Sequence, residues 1–156
     1  MTDFSLTVNG KVRTVQADDN APLLYVLRDQ LQMNGPRYGC GKEQCGACRV
    51  LVDGRLAWAC TLPVSAARDT QITTVDGLST RGELHPLQAA FLEFNAAQCG
   101  YCASGILMSA YALLMENPAP TRSDIQQALK DHLCRCGAHN RMIRAVQRAA
   151  ELMGAG

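Results

Sequence analysis

A chain of 156 residues with a formal net charge of +1 suits one domain or two small ones. Hydrophobic residues make up 47% and charged residues 19%, an ordinary globular balance, and no block of like charge is present to recruit nucleic acid or an anionic membrane. No apolar run approaches the roughly 18 residues of a membrane span, and the N-terminal "MTDFSLTVNGKVRTV" carries neither a secretory leader pattern nor paired arginines. The expected compartment is the cytoplasm, with the periplasm open if a signal-bearing partner carries the folded chain across.

Residues 4–8, "FSLTV", alternate in strand fashion; Asn9-Gly10 is a two-residue hairpin signal, and "KVRTVQ" returns. "APLLYVLRDQLQ" (21–32) then sets Leu23, Leu24, Leu27 and Leu31 at helical spacing, with Asn20 or Asp19 as the expected cap and Pro22 in the first turn. "RVLVDGRLAWAC" reads as a second hairpin around Asp53-Gly54, and "TQITTV" as a last short strand. Residues 1–76 therefore predict a small mixed sheet packed on one helix. The polar, broken "GLSTRGELHP" predicts a linker over 77–86. Four helical patterns follow: "PLQAAFLEFNAAQ", "ASGILMSAYALLMEN", "TRSDIQQALKDHL" and "NRMIRAVQRAAELM", the last before "GAG". Thr121 stands three residues before Asp124 as a capping box. Residues 87–156 thus predict a small four-helix bundle, and the whole chain an α+β fold. Met108 and Met115 are expected in the bundle core, Trp58 and Tyr25 in the sheet core, His132 as an ordinary helix-end residue and His85 as an ordinary residue before a proline.

Eight cysteines in a reducing compartment point to metal rather than disulfides. Cys40, Cys45, Cys48 and Cys60 follow the plant-type [2Fe–2S] spacing, C-x4-C-x2-C…C. A diiron-disulfido core needs four thiolates, two per iron, and donors for its negatively charged sulfurs. Gly39, Gly41 and Gly46 let the loop turn its N–H groups inward, and Ala47 permits close approach. Structural zinc usually takes two C-x2-4-C knuckles, which one loop with three cysteines matches poorly. The second quartet is Cys99 and Cys102 in "CGYC" with Cys134 and Cys136 in "CRC". By spacing alone it suits zinc as well as iron–sulfur. Both pairs lead into helices, whose N–H groups and positive dipole ends favour an anionic cluster.

The order "GCGKEQCGACRV…C", "QCGYC", "LCRCG" resembles, over essentially the whole chain, the small iron–sulfur subunit of the molybdenum hydroxylases. These are the xanthine dehydrogenase, aldehyde oxidoreductase and carbon monoxide dehydrogenase family. The resemblance implies a β-grasp, plant-type ferredoxin-like domain holding one [2Fe–2S] cluster on Cys40, Cys45, Cys48 and Cys60. It implies a second cluster in the bundle on Cys99, Cys102, Cys134 and Cys136. Molybdopterin, in its cytosine dinucleotide form, would lie in a partner large subunit; Gln98 matches the glutamine that hydrogen-bonds the pterin, and Cys136 the ligand beside it. Electrons would leave molybdenum through the bundle cluster, then the ferredoxin cluster, to a flavin subunit or a c-type cytochrome. The chain departs from many members at Gly137-Ala138-His139, where they read Thr-Gly-Tyr, and in this is similar to members acting on N-heterocycles or aldehydes. With no nucleophile, base or substrate pocket of its own, it reads as an electron-transfer subunit with no catalytic residues. The alternatives are a free-standing ferredoxin-like carrier, which has no use for the bundle or Gln98, and a zinc-binding interaction module.

Overall fold

The computed structural model describes residues 1–154; the end of the "GAG" tail, residues 155 and 156, lies outside them. The N-terminal half is a mixed sheet of β1 (Thr2–Val8), β2 (Lys11–Ala17), β3 (Arg49–Val52), β4 (Arg55–Trp58) and β5 (Gln71–Thr73), in spatial order β2-β1-β5-β3-β4. β1 and β5 run parallel and the other neighbours antiparallel. Both predicted hairpins form: Asn9, Gly10, Asp53 and Gly54 all take positive φ, as tight two-residue hairpins require. Strand alternation buries Phe4, Leu6 and Val8 completely. They share a core with Leu23 and Leu24 of α1 (Leu23–Tyr25) and with Leu27 of the wider π-helical turn that continues it, Val26–Gln30. This sheet-on-helix unit is the β-grasp of ferredoxin-like domains.

The expected cap of α1 is not used. The helix starts from Pro22 with no side-chain cap, and the Leu23 N–H donates instead to the Leu62 carbonyl at 2.8 Å. A carbonyl distant in sequence thus satisfies the amide that Asn20 or Asp19 was expected to serve; Asp18 accepts the Asn20 N–H. Tyr25 is another correction: it is exposed and stacks on Tyr38, with ring centroids 6.2 Å apart.

The C-terminal half holds α2 (Pro86–Glu93), α3 (Ala103–Glu116), α4 (Arg122–Leu129) and α5 (His139–Gly154). α2 stops well short of residue 98, because Asn95 takes a φ of 47° and the Ala96 N–H turns back to the Phe91 carbonyl. His85 caps it: its Nδ1 accepts the Leu87 N–H at 3.2 Å, while the Gln88 side chain accepts the His85 N–H at 2.9 Å. At α4, Thr121 Oγ1 accepts the Asp124 N–H at 3.2 Å, and Asp124 Oδ2 accepts the Thr121 N–H at 2.8 Å. Removing this predicted capping box with Thr121→Ala is expected to cost about 1 kcal/mol. The check is a lower denaturant midpoint at unchanged slope.

α3 packs against α2 and α4 and also against β3 and β4, so the sheet is covered on both faces. Val50 belongs to the sheet core, whereas its neighbour Leu51 points the other way into the bundle core. Met108 is fully buried in that core as expected, but Met115, in the last turn of α3, is 63% exposed. Among the described residues no helix is long and apolar enough to cross a membrane.

Candidate metal centres at the junction of sheet and bundle

The residues of the first quartet come from two places. Cys40, Cys45 and Cys48 lie on the loop between the π-helical turn and β3, and Cys60 follows β4. The loop's amides turn toward sulfur. The Lys42 and Gln44 N–H groups donate to Cys40 Sγ at 3.4 and 3.2 Å, and the Cys40 N–H donates to Cys45 Sγ at 3.3 Å. No side chain fits at Gly39, where a Cβ would stand 2.6 Å from Cys45 Sγ. The second quartet spans two helix entries. Cys102 is the N-cap residue of α3, Cys99 precedes it, and Cys134 and Cys136 lie on the loop into α5, where the Ala138 N–H donates to Cys134 Sγ at 3.5 Å.

Within each quartet the thiols meet in twos: Cys40 with Cys45, Cys48 with Cys60, Cys99 with Cys136, and Cys102 with Cys134. Among the described residues no three thiol, imidazole or carboxylate groups gather as for a single metal ion. Two thiolates per iron, with inward N–H donors, is the donor set that a diiron-disulfido core needs, so the residues fit that group.

The thiols differ in their readiness to ionise. Burial pushes Cys48 up to about 12, and Cys102 likewise to about 12. Burial also opposes ionisation at Cys40, but the Lys42 and Gln44 N–H donors outweigh it and bring that thiol down to about 7. The Tyr101 N–H and the Cys136 thiol hold exposed Cys99 below its ordinary value. Metal binding must therefore displace protons from Cys48 and Cys102. In the cluster-free chain near neutral pH, iodoacetamide is expected to label Cys40 and Cys99 well before Cys48 and Cys102. Time-resolved peptide mass mapping checks the order.

The loops that carry the two quartets meet at a tight junction. The Leu133 N–H, next to Cys134, donates to the Cys45 carbonyl at 3.1 Å. The Tyr101 hydroxyl donates to the Tyr38 carbonyl, and Arg37 reaches the Gly100 carbonyl while lying over the Tyr101 ring. His132, expected to be an ordinary helix-end residue, is 4% exposed and fills this junction. Its Nε2 lies 2.7 Å from Ser109 Oγ, and its Nδ1 has no partner. Burial and the nearby Arg49 charge lower its pKa to about 4, so the ring is neutral. It rests against Gly46, where a Cβ would come within 2.1 Å of Nδ1. No local pattern in "KDHLC" signals this; the space exists because Gly46 is a glycine. His139 Nε2 lies 3.1 Å from the His132 carbonyl, a local contact. Lys42, Glu43 and Arg135 are exposed, and Thr61 donates its hydroxyl to Glu43.

Gln98 is exposed on the loop into Cys99, and Cys136 is half-buried. A mainly apolar cleft of about 320 Å³ reaches Ala97, the residue before Gln98; Leu84, Phe91, Leu92 and Leu107 line it, with Gln88 and Asn95 as polar members. Leu84, Leu92, Tyr101 and Leu133 are all exposed large hydrophobics around the second quartet's loops.

Residues 6–74 match the family model described as the 2Fe-2S iron-sulfur cluster binding domain, and residues 74–147 match the [2Fe-2S] binding domain. The chain is similar to one of the subunits of nicotinate dehydrogenase from Pseudomonas putida, 48% identical over 150 residues and 96% of each chain. Among solved structures, the quinoline 2-oxidoreductase of Pseudomonas putida superposes with a TM-score of 0.94 at 34% identity, over 99% of this chain and 97% of that one. The aldehyde oxidoreductase of Desulfovibrio desulfuricans superposes equally, at 0.94 and 41% identity, over 99% of this chain but 17% of that longer one.

Proposed function

This chain belongs to the small iron–sulfur subunits of the molybdenum hydroxylases, and from that premise we propose that it carries electrons from a molybdopterin site in a larger partner, by way of the bundle quartet and then the ferredoxin-type quartet, to an external acceptor. One observation carries this reading: the eight thiols meet in four pairs, two pairs in each cysteine motif, and the loops of the two motifs are joined by hydrogen bonds that include Leu133 N–H to the Cys45 carbonyl. When bound, a [2Fe–2S] group accepts and returns one electron with little movement of its surroundings.

The residues of the chain supply everything around that chemistry. Cys40, Cys45, Cys48 and Cys60 hold one group, and Cys99, Cys102, Cys134 and Cys136 the other. Backbone N–H groups of Lys42, Gln44 and Ala138 offset thiolate charge. From the Cys45 carbonyl, one hydrogen bond and a few covalent bonds lead to Cys134. His132, Gly46 and Gly105 seat the first loop on α3, which fixes where that loop sits against the bundle. We read residues 1–76 and 87–156 as the two cluster-bearing domains and 77–86 as their linker, on the strength of the separate cores.

The large subunit covers the face around Gln98 and Cys136 in this reading, and its molybdopterin, as the cytosine dinucleotide, takes a hydrogen bond from the Gln98 amide. The exposed apolar residues and cleft there support a covered face. The substrate class is an N-heteroaromatic ring, supported by the similarity to the nicotinate and quinoline enzymes. An aldehyde is the second reading, favoured by the likeness to the aldehyde oxidoreductase. A flavin subunit or a c-type cytochrome takes the electrons onward, and the compartment is the cytoplasm, where the eight thiols stay reduced. Anaerobic native purification of the tagged chain tests the assembly. Molybdenum and a larger subunit in stoichiometric amount are expected; a stable monomer with full iron and no molybdenum would establish the free-standing carrier instead.

A further inference from the structure

Arg49 follows Cys48 directly and opens β3, and its cross-strand partner is Trp58, two residues before Cys60. Cross-strand partners share a face. The guanidinium carbon lies 3.5 Å from the centroid of the Trp58 ring. Leu51, two residues along the same strand and on the same face, is part of the bundle core. The strand geometry therefore turns Arg49 toward the junction between sheet and bundle. Its Nε is buried without a hydrogen-bond partner. Among the described residues the ion pairs are those of Arg148, so no carboxylate stands within bridging distance of Arg49. Burial weakens its hold on the proton, and the charges that act in the opposite sense are those of Asp131, Cys48, Glu43 and Cys60. A guanidinium nonetheless stays charged at physiological pH.

A partly buried cation without a bridging anion is unfavourable in the chain alone. An anionic neighbour changes that balance. A [2Fe–2S] group on four thiolates is a dianion when oxidised and a trianion after taking one electron. In that step one ferric ion becomes ferrous, the electron comes from the bundle quartet's group, and no bond or proton is exchanged. A fixed positive charge in a water-poor site stabilises the trianion more than the dianion.

We propose that Arg49, clamped on Trp58 beside Cys48 and Cys60, is the residue that raises the reduction potential of the cluster on Cys40, Cys45, Cys48 and Cys60, and so draws the electron toward the ferredoxin-domain end. This rests on the cysteine assignment above. Stacking matters because it keeps the charge in place: a free arginine would swing into water and be screened.

The test is a potentiometric titration of the full, cluster-loaded chain followed by low-temperature EPR. The first-quartet signal is identified as the one that Cys40→Ser alters. Arg49→Gln is expected to lower that signal's midpoint. At a fixed solution potential the ratio of reduced to oxidised cluster should fall about tenfold, equivalent to about 59 mV for one electron. The other signal should move much less. Arg49→Lys, which keeps the charge, should retain most of the potential. Trp58→Leu, which frees the guanidinium, should lower it in the same direction as Arg49→Gln. An unchanged first midpoint in Arg49→Gln, equal shifts of both signals, or a fall in Arg49→Lys as large as in Arg49→Gln would each overturn the proposal. Should Arg49→Gln fail to hold its cluster, the other two variants decide: an unchanged midpoint in Trp58→Leu overturns it, and a fall with Arg49→Lys near wild type supports it. A wild-type chain without two signals would overturn the cysteine assignment itself, and the role of Arg49 with it.

Discussion

Gly105→Val is expected to break the seating of the first cysteine loop on the bundle and to destabilise the chain by about 3 kcal/mol or more. A Cβ at residue 105 would stand 1.9 Å from the Gly46 carbonyl oxygen and 3.2 Å from the Ala47 Cα. Both are backbone atoms, so no rotamer change relieves the clash. α3 would have to withdraw from the loop that carries Cys45 and Cys48. The same helix buries Ile106, Met108 and Ala110 in the bundle core, so its withdrawal also opens that core. A loss of this size is a large share of the roughly 5–15 kcal/mol that holds a domain together. Denaturant unfolding of the full chain measures it, with Gly154→Ala as the control, since a Cβ there meets nothing within 4 Å. A Gly105→Val chain with a wild-type midpoint would mean that the loop is not seated on α3 as described.

Cys48→Ala and Cys102→Ala are each expected to delete one cluster and spare the other, halving the iron per chain. Each quartet draws its ligands from its own segments, the first from the loop before β3 and the residue after β4, the second from the entries to α3 and α5. Each of these two thiols is one of a close pair, with Cys60 and Cys134 respectively. Its loss strands one iron with a single protein ligand. Since the carriers stand in series, either variant should also stop electron delivery by the loaded complex. Iron analysis with EPR separates the outcomes. Loss of both signals from a single substitution would show that the quartets are not independent, and loss of neither would remove that cysteine from the ligand set.

Much of this was legible because the signals are local. Asn9-Gly10 and Asp53-Gly54 marked their hairpins by the φ their turns demand, and Thr121 with Asp124 marked the start of α4. The C-x4-C-x2-C spacing anticipated a loop that turns its amides toward sulfur. What stayed hidden depends on contacts distant in sequence. The amide that opens α1 is served by Leu62, a strand pair and a loop away, so no residue near position 20 announced it. Tyr25 sits on an apolar-looking helix, but its stacking partner Tyr38 comes from the cysteine loop and keeps it at the surface. His132 is buried because Gly46 and Ser109 come to it from other elements. The stack of Arg49 on Trp58 requires the β3–β4 register, which turn chemistry implies but composition does not reveal. The hydrogen bond from Leu133 to Cys45 joins two motifs that the sequence presents as separate.

The central claim is that these eight thiols hold two electron carriers, and low-temperature EPR with spin quantitation on the anaerobically purified, dithionite-reduced full chain tests it most directly. Two rhombic spin-half signals of different relaxation, each near one spin per chain, are expected. A single signal, or a colourless chain with stoichiometric zinc and no signal, would contradict it.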